Sequence, residues 1–244
     1  MTNIFIISPE DILYQMKLSC QLPDMIAAIA TRKIITDAAD QVGIKIQSKE
    51  LQQAADNMRL LKKLVKAKDT EIWLEKHYLS LNEFKKLVEI SLLSAKLAHH
   101  LLAEQVEPFF FTHQLDYVKS ITYEVILDDE DLAWQLFYAI QENKISFPDI
   151  AQQYIKEPEL RRVGGYCGIR CRGDFIPEIA AYVFTAHPPK IIKPILTHKG
   201  VHLIWVEEII QPHLDEVLRC KILRDLFAAW LQQQLEEIKL VVQI

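Results

Sequence analysis

His202 is the residue of this chain whose type and setting offer the clearest chemistry. It lies in an apolar run, and strand alternation places His202, Ile204 and Val206 on one face. A lone histidine in such a strand is usually a core residue, and a role in a site is the alternative. Thr197 can hydrogen-bond the imidazole from the preceding turn. If Glu124 accepts a hydrogen bond from the same ring, the pair favours a charged imidazole.

A group of apolar residues could form a cup beside this histidine. Phe175, Ile179 and Cys167 are its proposed walls, with Ile176 next to them and Phe184 in support. A dry apolar cup next to a few polar groups is a common design for binding a small ring. Plain core packing is the alternative interpretation for each of these residues.

Other chemistries find little support. The four cysteines, at positions 20, 167, 171 and 220, have no partner pair at zinc-finger spacing, so no metal is expected. The chain has no phosphate-binding glycine loop and no defensible Ser-His-Asp signature. We therefore expect neither a cofactor nor a nucleophilic mechanism.

Composition restricts the partners and the compartment. The net charge is −5 and the pI is about 5.9. A general nucleic-acid binder is usually basic, so we do not expect nucleic acid as a partner. No apolar run reaches the roughly 18 residues of a membrane span. The first apolar run has four residues without basic residues before it, which does not match a secretory signal. Together with the few cysteines, this predicts a cytoplasmic protein.

The two ends of the chain show helical spacing. Residues 1–117 contain several capped apolar repeats, among them the capping box Ser80–Glu83, which opens a long helix to about Val106. Residues 211–244 form one more helix, whose apolar face needs a partner. We expect it to pack back on the N-terminal helices, so that the two segments form one domain. The apolar residues Ile4–Ile7 and Val241–Val242 could pair as a small sheet.

The middle of the chain, residues 118–210, has a different period. The β-branched segment Ile121–Leu127 predicts a strand, and Asp128–Asn143 predicts a helix. Two further strands are predicted at Ile191–Leu196 and Val201–Glu207. The full order is β-α-α-β-α-β-β, so the fold class is α+β: a mainly helical domain with a small inserted sheet domain.

This inserted unit resembles the parvulin domain of peptidyl-prolyl isomerases in three segments. Gly164–Gly168 is similar to the family's Gly-Gly-Asp-Leu-Gly turn. Arg172–Ile179 is similar to its Arg-Gly-x-Met segment and Pro-x-Phe helix, and Thr197–His202 to its Gly-x-His strand. The resemblance implies site roles for His202 and Thr197 and an apolar proline pocket around Phe175.

Several positions depart from the family pattern. Glu124 stands where the family has a first-strand histidine, and Glu157, or Pro158 if the loop alignment slips, stands at its Asp or Cys position. Phe175 replaces Met and Ile179 replaces Phe, while Cys167, also in the predicted cup, replaces Leu. Glu157 is either a polar wall near the substrate amide or a solvated loop carboxylate. Arg170 and its basic neighbours either select acidic client residues or form a solvated loop.

Asp37–Ile46 is similar to the first core helix and turn of the SurA/PrsA type of foldase, and Ser80–Gln105 is similar to its long helix. In that type the helical flanks hold an unfolded client. This resemblance implies a foldase that isomerises Xaa-Pro bonds of an unfolded or partly folded polypeptide. The alternative is a catalytically weak or inactive chaperone or export adaptor that binds peptides, which the replaced first-strand histidine favours.

Overall fold

The computed structural model describes residues 5–242 as a mainly helical chain with one small antiparallel sheet, which confirms the predicted α+β class. Residue contacts divide the chain into two compact units. The first comprises the residues up to Val106 and from Arg219 onward, and the second is Glu107–Leu218. The sequence predicts boundaries after residues 117 and 210. At the first boundary, the 3₁₀ turn Gln114–Tyr117 lies against the turn Arg172–Asp174, which places it with the second unit.

Among residues 5–242, five helices of the first unit precede the sheet in the chain, and one helix, most of which belongs to this unit, follows it. They are α1 (Pro9–Leu18), α2 (Leu22–Gln41), α3 (Ser48–Leu61), α4 (Ala67–Lys76), α5 (Leu81–Leu102) and, after the second unit, α11 (Glu216–Glu237). Ser80 caps α5 as predicted, with Glu83 completing the capping box. The predicted continuation to Val106 tightens into a 3₁₀ turn after Leu102. Within residues 5–242, no helix is both long and apolar enough to cross a membrane.

The core of the first unit joins α2, α5 and α11. Ile35 and Ala39 of α2 pack with Leu97 of α5 and Phe227 of α11. A smaller cluster around Phe84 joins α4 to α5, with residues of α3 packed against it. The predicted return of the C-terminal helix is therefore present as packing within this unit.

The second unit contains a five-stranded antiparallel sheet flanked by short helices. The strands are β1 (Lys119–Leu127), β2 (Tyr166–Cys171), β3 (Lys190–Ile191), β4 (Ile195–Thr197) and β5 (Gly200–Ile210), in the order β2-β1-β5-β3, with β4 also paired to β5. The helices are α6 (Val106–Thr112), α7 (Glu130–Gln141), α8 (Phe147–Tyr154), α9 (Pro158–Arg162) and α10 (Pro177–Val183).

Two details of this unit differ from the sequence-based expectation. The segment Ile191–Leu196 is not one strand, because Pro194 has no N–H to donate and separates β3 from β4. The loop after α8 also contains the short helix α9, which Pro158 opens at its first position.

The sheet separates two apolar layers. Val125 and Leu203 face the core formed by α7 and α8. Ile204 faces the opposite cluster, which contains Ile179 and Val183 of α10. Register pairs Glu124 with Ile204 and Ile126 with His202, so Glu124 and His202 project on the α10 side.

The predicted terminal sheet has no counterpart in the described residues. Phe5, Ile6 and Ile7 and, at the other end, Val241 and Val242 lie outside any strand. Ile4, which belonged to the predicted pairing, lies outside the described residues.

Candidate functional site

Three side chains form a hydrogen-bonded chain with the buried His202 ring in the middle. The Nδ1 atom of His202 lies 2.7 Å from Oε1 of Glu124, and its Nε2 atom lies 2.7 Å from Oγ1 of Thr197. His202 is 4% exposed. Strands β1 and β5 supply Glu124 and His202, while Thr197 ends β4 beside the tight turn at Lys199. Three adjacent strands thus position the three groups.

The geometry serves both protonation states of the imidazole. Nδ1–H donates to the Glu124 carboxylate in either state, because an ionised carboxylate can only accept. In the neutral ring Nε2 accepts the Thr197 hydroxyl proton. In the charged ring Nε2 donates, and the Thr197 hydroxyl can turn towards the Gly200 carbonyl, 3.4 Å away. The Lys199 N–H holds the hydroxyl oxygen at 3.1 Å in both cases.

The second oxygen of Glu124 faces a positive group and a thiol. Arg170 Nη2 lies 3.7 Å from Oε2, and the Cys167 sulfur lies 3.9 Å from the same atom. Burial acts to raise the pKa of Glu124, but the hydrogen bond and charge of His202, together with Arg170, outweigh it and lower the pKa below its ordinary value of 4.5. Glu124 is therefore a carboxylate at neutral pH.

Cys167 is a packing and hydrogen-bonding group here. Its sulfur lies 3.3 Å from the Gly165 carbonyl oxygen. Burial, followed by the nearby Glu124 charge, raises the pKa of the thiol to about 11 against the opposing effect of Arg170. A thiol with such a pKa stays protonated at neutral pH and is a poor nucleophile.

A cavity of about 130 Å³ with both apolar and polar lining residues lies directly next to this hydrogen-bond chain. We call it the Phe175 cavity. Its wall includes Phe175, Ile176 and Ile179 together with Glu124, Thr197 and His202. Phe184 meets Phe175 edge to face with ring centroids 5.8 Å apart, which fixes the orientation of the wall. The cavity thus has an apolar side, built on α10 and the two residues before it, and a polar side to which β1, β4 and β5 contribute Glu124, Thr197 and His202.

The predicted site residues divide into three groups. Six line the Phe175 cavity: Glu124, Phe175, Ile176, Ile179, Thr197 and His202. Cys167 contacts Glu124, and Phe184 supports Phe175, so these two lie behind the wall. Glu157 lines a separate cavity of about 390 Å³ that shares Glu124 and Ile126 with the first. We call this second one the Tyr154 cavity.

Arg170 has a structural role that the sequence did not indicate. Besides facing Glu124, its guanidinium carbon lies 5.1 Å from the Phe175 ring centroid, and its Nε donates to the Cys167 carbonyl at 3.3 Å. It therefore links the polar and apolar sides of the cavity. The only sequence signal is an arginine close to the glycine turn, which by itself suggests either selection of acidic client residues or a solvated basic loop.

The chain matches a known domain family over part of its length. Residues 127–208 match the family described as "Rotamase: PPIC-type PPIASE domain". Two curated relatives are named "Probable parvulin-type peptidyl-prolyl cis-trans isomerase", from Bordetella bronchiseptica and Bordetella pertussis. Each is 27% identical over 106 residues, covering 39% of this chain and 41% of the relative. The match thus spans less than half of either relative's length.

Two solved structures share the fold over most of the chain. The peptidylprolyl isomerase PrsA from Bacillus anthracis covers 89% of this chain and 100% of its own, with a TM-score of 0.51 and 16% identity. The PrsA structure from Bacillus cereus covers 98% and 90%, with a TM-score of 0.51 and 15% identity. At these identities the likeness concerns the fold.

Proposed function

We propose that this chain is a peptidyl-prolyl cis-trans isomerase acting on a polypeptide client. The match of residues 127–208 to the PPIC-type isomerase domain supports this proposal. The observation that carries the proposal is the Phe175 cavity. It joins an apolar wall to the His202 hydrogen-bond chain in the unit that contains the matched residues 127–208. The reaction needs both the apolar wall and the polar chain.

The bond before proline resists rotation because conjugation keeps it planar, with a barrier of roughly 18–20 kcal/mol. Twisting breaks the conjugation and returns the lone pair to nitrogen. A catalyst must therefore bind the twisted amide more strongly than the planar one. No covalent bond forms, and no cofactor is needed.

The two sides of the Phe175 cavity divide this work. Phe175 and Ile179 hold the proline ring away from water, so the ring is fixed while the preceding carbonyl turns. The fixed dipoles of Thr197 and His202 face the turning amide. Because Glu124 and Thr197 already orient the imidazole, little reorganisation is required during rotation.

We further propose that the helical unit holds the client. A groove of about 640 Å³ runs between α3, α4 and α5, within the volume range of ligand sites. Its apolar floor includes Leu74, Phe84 and Val88, and Leu81 at its edge is 69% exposed. Such a groove suits the apolar side chains of an unfolded segment.

The replacement of the first-strand histidine supports a second candidate. Glu124 gives the His202 ring a negative neighbour in place of the neutral or positive one of the family pattern. In this candidate the domain binds prolyl peptides without turning them over. The chain would then be a peptide-binding chaperone or export adaptor.

One experiment separates the two candidates. Isomerisation of a prolyl peptide is measured for the wild type, Phe175→Ala and His202→Ala, next to suppression of client aggregation. If the chain is an isomerase, Phe175→Ala lowers kcat/KM by about 10- to 100-fold, the loss expected for one large apolar contact. Ile169→Ala, 58% exposed on β2, is the matched control and keeps full activity.

The contrary result is equally clear. The isomerase is rejected if the wild type does not turn over the peptide but still suppresses client aggregation. The adaptor then remains, provided that substitution of Leu81 weakens this suppression. Appearance of turnover in Glu124→His would then identify the replaced residue as its cause.

A cytoplasmic location is also a proposal. It is supported by four cysteines that are all unpaired, two of them, Cys20 and Cys220, exposed, since free exposed thiols persist in reducing compartments. Cell fractionation tests it.

A further inference from the structure

The Tyr154 cavity takes no part in the isomerisation proposed for the Phe175 cavity. It measures about 390 Å³, three times the volume of the Phe175 cavity. Its base is apolar: Leu127 and Ile155 are 4% and 6% exposed, and Tyr154 and Leu160 complete the wall. A cavity of this volume can take one long side chain.

Negative charge predominates at the rim of this cavity. Asp128, Asp129 and Glu157 all line it, against the single cation Lys156 among its lining residues. Lys156 lies 3.6 Å from Asp128, with both side chains more than 80% exposed, so this pair is well solvated and weak. Asp129 accepts the N–H groups of Asp131 and Leu132 at 2.9 and 3.2 Å, which anchors its carboxylate at the start of α7.

Glu157 is the rim carboxylate most available to a ligand. It is exposed and precedes α9, but its side chain makes no capping hydrogen bond there. An apolar base below an acidic rim complements a long aliphatic stem that ends in a cation. Lysine and arginine side chains have this shape, because their stems bury against apolar surface while the charged ends stay in water.

The two cavities are neighbours, because Glu124 and Ile126 line both of them. A peptide whose proline ring occupies the Phe175 cavity therefore has its neighbouring residue within reach of the Tyr154 cavity, on the other side of Glu124. This adjacency to the proposed proline site identifies the occupant as a residue next to the bound proline.

We propose that the Tyr154 cavity is a specificity subsite for a lysine or arginine next to the client proline. This inference rests on one part of the proposed function, the binding of the proline in the Phe175 cavity, and it does not require turnover. The subsite favours basic neighbours by charge complementarity at the rim and by stem burial at the base.

Binding of labelled peptides tests the subsite independently of turnover. The peptides carry lysine, norleucine or glutamate immediately before or immediately after one proline, and Kd is measured by fluorescence anisotropy. Norleucine matches the lysine stem without its charge. At one of the two positions, lysine should bind about three-fold more tightly than norleucine, the size expected for a partly solvated ion pair. The preference should shrink as salt is added.

Variants then assign the preference to the rim. In Asp128→Asn/Glu157→Gln the ratio of lysine to norleucine affinity should fall to about one, the value expected without a rim ion pair. Glu159→Gln removes an exposed carboxylate of α9 that does not line the cavity, and it should keep the wild-type ratio. Circular dichroism verifies that all variants are folded.

Each outcome decides one proposal. Equal affinity for lysine and norleucine peptides at both positions, or a ratio that the double variant leaves unchanged, overturns the subsite. A lysine preference that disappears in the double variant supports it, even if no peptide is turned over. In that case the isomerase proposal fails and the subsite stands. If all peptides are turned over and none is preferred, the isomerase proposal stands and the subsite fails.

Discussion

A carboxylate faces the buried imidazole at the position where the parvulin pattern has a second histidine. Glu124 lies between two groups that can be positive, His202 at 2.7 Å and Arg170 at 3.7 Å. Buried ion pairs often contribute little net stability, because desolvation opposes the attraction, but removing one partner leaves an expensive unpaired group. The arrangement therefore makes the site sensitive to any change at Glu124.

The pH dependence of stability should report on this carboxylate. Its pKa is lowered in the folded state, so its contribution is present above the unfolded value near 4.5 and is lost as pH falls through the folded value. We expect Glu124→Gln to lower the free energy of unfolding at neutral pH, and the difference from the wild type to shrink below about pH 4.5. Urea denaturation over a pH series measures it.

A matched control is Glu89→Gln, an exposed carboxylate on α5. A wild-type and Glu124→Gln difference that stays constant down to acid pH, or that matches the control, would contradict the assignment.

Among the elements, the glycine turn before β2 decides how closely β2 approaches β1. Gly165 has φ of +81°, and its carbonyl accepts the Glu124 N–H at 2.9 Å. A Cβ at this position would lie 2.8 Å from the Glu124 carbonyl oxygen. Gly168 has a similar φ of +79°, but a Cβ there would meet nothing within 4 Å. A side chain at Gly168 would therefore cause backbone strain alone, whereas one at Gly165 would also collide with β1.

Alanine at each position should give different losses of stability. For Gly168→Ala we expect about 1 kcal/mol, the cost of a side chain in the left-handed region. For Gly165→Ala we expect roughly 2–4 kcal/mol, because the collision with β1 adds an overpacking cost. Chemical denaturation gives both values. Equal losses for the two variants would show that β1 and β2 tolerate separation at Glu124.

At the scale of the whole molecule, the helical unit is assembled from distant parts of the chain. Phe227 of α11, which is 7% exposed, packs in one cluster with Ile35 of α2 and Leu97 of α5. The second unit is inserted between these segments in the sequence. The helical core is therefore complete only when both ends of the chain are present.

Phe227→Ala should accordingly destabilise the helical unit. We expect a loss of about 3–5 kcal/mol, typical for a buried phenylalanine, together with faster hydrogen exchange at amides of α2 and α5. Arg224→Ala, on the exposed side of the same helix, should change the free energy of unfolding by less than about 0.5 kcal/mol. Comparable effects of the two substitutions would mean that α11 does not complete this core.

Local patterns in the sequence were sufficient for most elements and for one face of the site. The Ser80 capping box predicted the start of α5, and alternation predicted that His202, Ile204 and Val206 share a face. Both depend on residues within a few positions of each other, where backbone geometry alone sets the relation. The order of the predicted elements indicated an α+β unit, and the resemblance of the glycine, Phe175 and His202 segments to the parvulin domain implied its type.

Relations between strands depend on more than local pattern. Glu124 and His202 are 78 positions apart, and their 2.7 Å contact requires the register of β1 and β5. That register contains an irregularity at Ile121 and Thr122, and a slip of one residue would turn Glu124 to the opposite face. The placement of Glu157 in the Tyr154 cavity depends likewise on α9. Side-chain types and periods are properties of the chain, whereas distances across a sheet exist only after folding has set the register.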